Sequence, residues 1–163
     1  MPRPTTLVLG LGNPILTDDS VGLRVAAVLR EEWADRSDVT VEEDCWGGLR
    51  LMERLAGFQQ AVIVDAIQSG APPGTVHRLT PNDLPTQHSA SAHDVSLPTA
   101  LAFGRKMGLV LPPDDRLVLV AVEAADILTF GEACTPAVEA AIPHAVEAVR
   151  EVLAEWGCLR SAD

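Results

Sequence analysis

Apolar runs and amphipathic segments alternate along the chain in the order β-α-β-α-β-β-α-β-α. The strands are predicted near residues 5–10, 39–43, 60–66, 75–79 and 117–122, and the helices near 19–32, 49–56, from the 91–94 junction to 107, and 136–155. The run 60–66 is continuously apolar, which is typical of a central parallel strand covered on both faces. This order predicts an α/β fold: a three-layer α/β/α sandwich with a mostly parallel central sheet.

The length and composition predict a single domain. A chain of 163 residues can bury roughly 70% of its unfolded surface, which is enough for a core without disulfide or metal crosslinks. Hydrophobic residues make up 47% of the chain and charged residues 21%, which excludes extended disorder. We expect the domain to span residues 1–158, followed by a frayed tail at 159–163.

The net charge of −11 limits the partners that the chain can bind. A field of this sign repels phosphate backbones and anionic lipid surfaces, so neither nucleic acid nor membrane is expected as a partner. Three cysteines without a CxxC pair, and the lack of a long apolar segment, predict a cytoplasmic protein. Cys45 has no neighbouring cation and is interpreted as a small buried side chain.

Two adjacent acids follow the first predicted strand and its glycine turn. Asp18 and Asp19 stand where the first helix is expected to begin, so they could cap that helix or belong to a ligand site. The glycines of the turn would let a substrate backbone come close. A dinucleotide site is disfavoured, because Ile15 occupies the position of the third glycine in the G-x-G-x-x-G pattern.

Two further polar residues occupy element ends that should meet the acid loop at one edge of the sheet. Asp65 ends the most apolar strand, and His93 lies at a loop-to-helix junction. Together with Asp19 (or Asp18), they supply two carboxylates and one imidazole. This ligand set suits a divalent ion such as zinc or nickel and leaves coordination positions open for substrate.

A series of motifs extends along nearly the whole chain in a fixed order. The motifs are Gly10-Leu11-Gly12-Asn13, Thr17-Asp18-Asp19 followed by Gly22, Val64-Asp65-Ala66, Ser91-Ala92-His93, Val120-Ala121-Val122-Glu123 and Thr135-Pro136-Ala137-Val138-Glu139. In these motifs the chain resembles the maturation endopeptidases of [NiFe]-hydrogenases. The resemblance implies a phosphorylase/hydrolase-like fold, with Asp19, Asp65 and His93 as the metal-binding and catalytic triad. Asp19 departs from the family pattern, in which the longer Glu is common.

The resemblance also implies the reaction. Such enzymes cut once near the C-terminus of the hydrogenase large-subunit precursor after nickel has been inserted, and they release a short peptide. The nickel is carried by the substrate, so no tightly bound cofactor of the enzyme's own is expected. The predicted partner is therefore the large-subunit precursor.

Two other functions compete with this one. The opening Gly10-Leu11-Gly12-Asn13 also resembles peptidyl-tRNA hydrolases, but Asp19-Ser20 stand where that family needs its catalytic His-Asn pair. A non-catalytic chaperone that inspects the nickel is the second alternative, because no serine or cysteine nucleophile stands beside a base in the sequence.

The two acids of the loop are expected to divide their tasks. Asp18 is predicted to cap the first helix and Asp19 to point into the cleft. Because Asn is an equal N-cap, Asp18→Asn is expected to keep most of the activity.

Overall fold

A computed structural model describes residues 5–45, 48–83 and 97–158. The strands are β1 (Thr6–Leu11), β2 (Val39–Asp44), β3 (Gln60–Ile67), β4 (Val76–Leu79) and β5 (Leu117–Glu123). The helices are α1 (Val21–Glu32), α2 (Arg50–Leu55), α3 (Leu97–Lys106) and α4 (Pro136–Glu155). Within these ranges the strands form one sheet in the order β2-β1-β3-β5-β4, in which β4 alone is antiparallel. The predicted element order and sheet type are confirmed.

Helices cover both faces of the sheet, so the molecule has three layers. On one face α1 and α4 pack against valines of the strands, and on the other α2 and α3 pack against leucines and isoleucine. Alternate strand residues point to opposite faces, so each strand supplies both layers. This double coverage explains the uninterrupted apolar run of β3.

The chain changes direction across the sheet at β1. It leaves β1 through α1 to reach β2 on one side, and it returns through α2 to β3 on the other side. At such a topological switch point the connections diverge and leave a crevice beyond the carboxyl ends of the strands. The crevice between β1 and β3 is therefore the expected place for a ligand.

Two glycines bring α1 and its preceding turn unusually close to this crevice. A Cβ atom on Gly12, whose φ is +153°, would lie 2.0 Å from the carbonyl oxygen of Asp19. A Cβ on Gly22 would lie 2.3 Å from the carbonyl oxygens of both Leu11 and Val64. The space beside these glycines is filled by the chain's own backbone. The sequence had predicted that the glycine turn leaves this space for a substrate backbone.

Several local predictions need correction. The first helix begins with a 3-10 turn, Thr17–Ser20, and becomes α-helical only at Val21. Cys45 was predicted to be buried, which is wrong: it lies just beyond β2 and is exposed. Cys45 lies beyond the part of the sheet that the helices cover, so its side chain is exposed.

Some predictions fall on residues that the structure does not describe. They concern His93, the start of the third helix before Leu97, and the tail 159–163. In the described part, no helix is long and apolar enough to cross a lipid bilayer.

Candidate active site

Asp65 lies near the carboxyl end of β3 at the crevice. It pairs in register with Ala121 of β5, and its side chain points to the face covered by α2 and α3, because Val64 points to the opposite face. One carboxylate oxygen accepts a hydrogen bond from the backbone N–H of Ala66 at 2.8 Å. The carboxyl end of β3 thus fixes Asp65 at one side of the switch point.

Asp19 comes from the other side of the switch point, in the 3-10 turn after β1. It is 7% exposed, and its Oδ2 accepts a hydrogen bond from the backbone N–H of Asn13 at 3.1 Å. Its own N–H donates to the carbonyl oxygen of Leu16 at 3.0 Å. The glycine turn therefore fixes the carboxylate as well as the backbone of Asp19.

The two carboxyl groups interact electrostatically. Burial, followed by the negative charge of Asp19, raises the pKa of Asp65 to about 8, although the Ala66 N–H opposes the change. At neutral pH the pair therefore retains a proton, because the negative charges of the buried Asp19 and the half-buried Asp65 repel one another. A divalent cation could replace that proton and neutralise both groups.

Two other acids at the same edge of the sheet have different surroundings. Asp44, at the end of β2, pairs with Arg54 at 2.8 Å and Arg50 at 3.1 Å. Glu123, at the end of β5, accepts hydrogen bonds from the Ser69 N–H and hydroxyl and contacts His77 Nε2 at 3.1 Å. Both acids are held by cationic or hydrogen-bonding partners and are interpreted as structural.

Burial and hydrogen bonding act in opposite directions on Glu123. Burial would raise the pKa of this carboxyl group, but the hydrogen bonds from Ser69 and His77 hold the pKa below its usual value. Glu123 therefore stays ionised at neutral pH, in contrast to the Asp19–Asp65 pair. Nothing local in the sequence indicates that Glu123, Ser69 and His77 form a group, since Ser69 lies in a turn and His77 in a separate strand.

The third predicted ligand, His93, lies outside the described residues. Within residues 5–45, 48–83 and 97–158, no three His, Cys, Asp or Glu side chains are grouped closely enough to hold a metal ion. The described structure thus brings together the two carboxylates of the predicted triad. The position of the imidazole in the site stays a prediction.

Asp18 has a different role from the one predicted. It is fully buried, and its Oδ1 accepts a hydrogen bond from the Thr135 N–H at 2.7 Å, while its Oδ2 accepts from the N–H groups of Ala125 and Asp126 at 2.8 and 3.0 Å. The Thr135 hydroxyl donates to the same carboxylate. Asp18 therefore lies at the N-terminus of α4, and the prediction that it caps the first helix is wrong.

The sequence indicates only one of the two partners in this contact. Thr135-Pro136 marks the start of α4, because Pro is favoured at the first helical position. Nothing local indicates which carboxylate the Thr135 hydroxyl contacts, since Asp18 lies 117 residues away.

Replacing Asp65 with Asn is expected to stabilise the fold, and increasingly so as the pH rises. The pKa of Asp65 is about 8 in the folded chain and near the ordinary 3.8 when unfolded, so ionisation favours the unfolded chain between these values. We expect a gain of up to about 5 kcal/mol at pH 8 and of about 2 kcal/mol at pH 5. Urea unfolding of both proteins at the two pH values measures it, and a gain that did not grow with pH would contradict the assignment.

The chain is similar to known proteins over most of its length. A family model described as hydrogenase maturation protease matches residues 23–152. The hydrogenase 2 maturation protease of Escherichia coli K12 is 32% identical over 154 residues, which cover 93% of this chain and 92% of that protein. The hydrogenase expression/formation protein HupD of Thiocapsa roseopersicina is 29% identical, with coverage of 94% and 70%.

A solved structure agrees with the sequence relatives. The hydrogenase maturating endopeptidase HybD from E. coli superposes with a TM-score of 0.73 at 31% identity, and the match covers 94% of each chain.

Proposed function

Since the chain belongs to the hydrogenase maturation protease family and is therefore an endopeptidase, we propose that it removes a C-terminal peptide from a nickel-loaded [NiFe]-hydrogenase large-subunit precursor. In this proposal Asp19, Asp65 and His93 engage the nickel that the substrate carries. The scissile peptide bond is then held beside these three residues.

The proposal rests on the positions of Asp19 and Asp65, which lie on the two sides of the switch point between β1 and β3. Two carboxylates from separate segments share one crevice, and the pKa of Asp65 is raised by burial and by the charge of Asp19. Perturbed carboxyl groups of this kind are typical of functional sites, because the fold gains nothing from keeping two like charges together. A cation delivered by the substrate would relieve the repulsion.

The composition of the proposed triad suits a metal that arrives with the substrate. Two carboxylates and one imidazole, without a thiolate, should hold a divalent ion more weakly than a closed Cys/His site does. Binding would also have to displace the proton that Asp65 retains at neutral pH. We therefore propose that the purified enzyme is folded and largely metal-free, and that the precursor's own ligands complete the nickel coordination.

Cleavage is expected to require nickel in the precursor. The measurement is to titrate nickel into metal-free precursor, add this protein, and follow the loss of the C-terminal peptide by mass spectrometry. We expect shortening to rise in proportion to the nickel-loaded fraction, and the metal-free precursor to stay intact.

Controls with zinc-loaded and metal-free precursor separate the alternatives. Cleavage of metal-free precursor by an enzyme that contains stoichiometric zinc would overturn the substrate-nickel proposal and identify a zinc peptidase. Binding of nickel-loaded precursor without shortening would instead indicate a chaperone that inspects the metal.

A further inference from the structure

Three large apolar side chains are exposed on two loops beside the proposed site. Leu128 is 83% exposed, Phe130 78% and Ile15 46%. We call these three residues the apolar rim. Single exposed apolar residues are common on protein surfaces, but a group of them marks a candidate interaction surface.

Backbone pairing brings the two loops together. The Gly131 N–H donates to the Ile15 carbonyl oxygen at 2.9 Å, and the Thr17 N–H donates to the Gly131 carbonyl oxygen at 3.0 Å, which forms a parallel bridge. The bridge pairs Leu16 with Gly131, so Ile15 and Phe130 each lie one position before a bridge residue. In parallel pairing such residues are neighbours on the same side, so their side chains form a continuous surface.

The loop that carries Leu128 is fixed by its own hydrogen bonds. The Asp126 carboxylate accepts from the N–H groups of Leu128 and Thr129 at 3.0 and 2.9 Å, and the Asp126 carbonyl oxygen accepts from the Asp18 N–H at 2.9 Å. The apolar side chains are therefore held toward water by an ordered backbone. Such preorganisation lowers the entropy cost of binding a partner.

The apolar rim is continuous with the acid loop. Ile15 precedes Leu16, whose carbonyl oxygen accepts the N–H of Asp19, so the rim begins one turn before the proposed ligand. We propose, on the basis of the proposed function, that the apolar rim binds an apolar segment of the large-subunit precursor next to the scissile bond. The rim then aligns the peptide while Asp19 and Asp65 engage the nickel.

Charge favours the precursor over a second copy of this chain as the occupant. The acids Asp126 and Glu132 are accessible beside the rim, and the segment 123–134 has no Lys or Arg. Two copies would bring these acids together on molecules that each carry a net charge of −11. A bound peptide should therefore combine apolar side chains with neutral or basic neighbours.

The first experiment measures cleavage of nickel-loaded precursor by Leu128→Ala, Phe130→Ala and the double variant. We expect KM to rise by about 10-fold for each single variant, because truncation of a central apolar contact typically costs that much binding. The kcat and the urea unfolding midpoint should not change. A KM equal to that of the parent, or a loss confined to kcat, would overturn the proposal.

Met107→Ala and Val110→Ala are matched controls. These side chains are 66% and 76% exposed, and Val110 contacts Gly57 just before the start of β3, at the opposite edge of the sheet. Both controls should process the precursor with the parent KM. An equal rise in KM for rim and control variants would show a general surface effect and would also overturn the proposal.

A second experiment does not depend on cleavage. With Phe130 replaced by the photoreactive p-benzoyl-phenylalanine, irradiation should crosslink the protein to the C-terminal segment of the precursor. Crosslinks to a second copy of this chain, or none to the precursor, would overturn the docking proposal. If the parent failed to cut the precursor while the crosslink formed, the proposed function would fail and the docking surface would stand.

Discussion

Asp65→Ala and His93→Ala are each expected to lower the rate of precursor cleavage by about 1000-fold or more, which corresponds to about 4 kcal/mol of lost transition-state stabilisation. Each variant deletes one of the three proposed nickel ligands. His77 is engaged with Glu123 and so is not poised to replace the lost imidazole. The fold should remain intact, since the Asp65 carboxylate bonds to the adjacent backbone N–H of Ala66 and its ionised form disfavours folding.

The measurement is the mass of the precursor before and after incubation, together with circular dichroism of each variant. Asp114→Ala and His144→Ala are suitable controls, because His144 is exposed and the half-exposed Asp114 pairs with Arg105 away from the crevice. The controls should process at the parent rate. Parent-like cleavage by Asp65→Ala, or its unfolding, would count against the assignment.

Asp18→Asn is expected to lower the free energy of unfolding by about 3 kcal/mol, because both carboxylate oxygens accept hydrogen bonds in the core. Oδ1 receives the Thr135 N–H, and Oδ2 receives the N–H groups of Ala125 and Asp126. In Asn one oxygen becomes an NH₂ group, which sets donor against donor and leaves buried N–H groups without an acceptor. The variant also loses the negative charge at the N-terminus of α4.

The matched variant is Asp19→Asn, the same chemical change one residue along the chain. It should retain parent-like stability and lose most of its cleavage activity, because a neutral amide is a poorer metal ligand. Urea unfolding and the cleavage assay on both variants test this division. If Asp18→Asn were as stable as the parent, the contacts assigned to Asp18 would be wrong.

The order of elements and the sheet type were predictable from the sequence, because they depend on local apolar periodicity. The run 60–66 gave β3 within one residue at its end, and Pro136 gave the start of α4. The same pattern predicted the position of Asp65, because a polar residue near the end of a buried parallel strand lies where the carboxyl ends of the strands emerge. The motifs around Asp19 and Asp65 then indicated the protease family, which the comparisons confirm.

The tertiary structure decided what depends on residues far apart in the chain. The sequence places Asp18 and Asp19 side by side and indicates the distant partner of neither, but the fold buries Asp18 against Thr135 and directs the charge of Asp19 toward Asp65. The sequence marks Gly12 only as a turn residue. The fold requires glycine there because the Asp19 carbonyl oxygen occupies the space that a Cβ atom would need. Local pattern determines which segments form strands and helices, whereas the environment of a side chain depends on which distant backbone groups the packed layers bring to it.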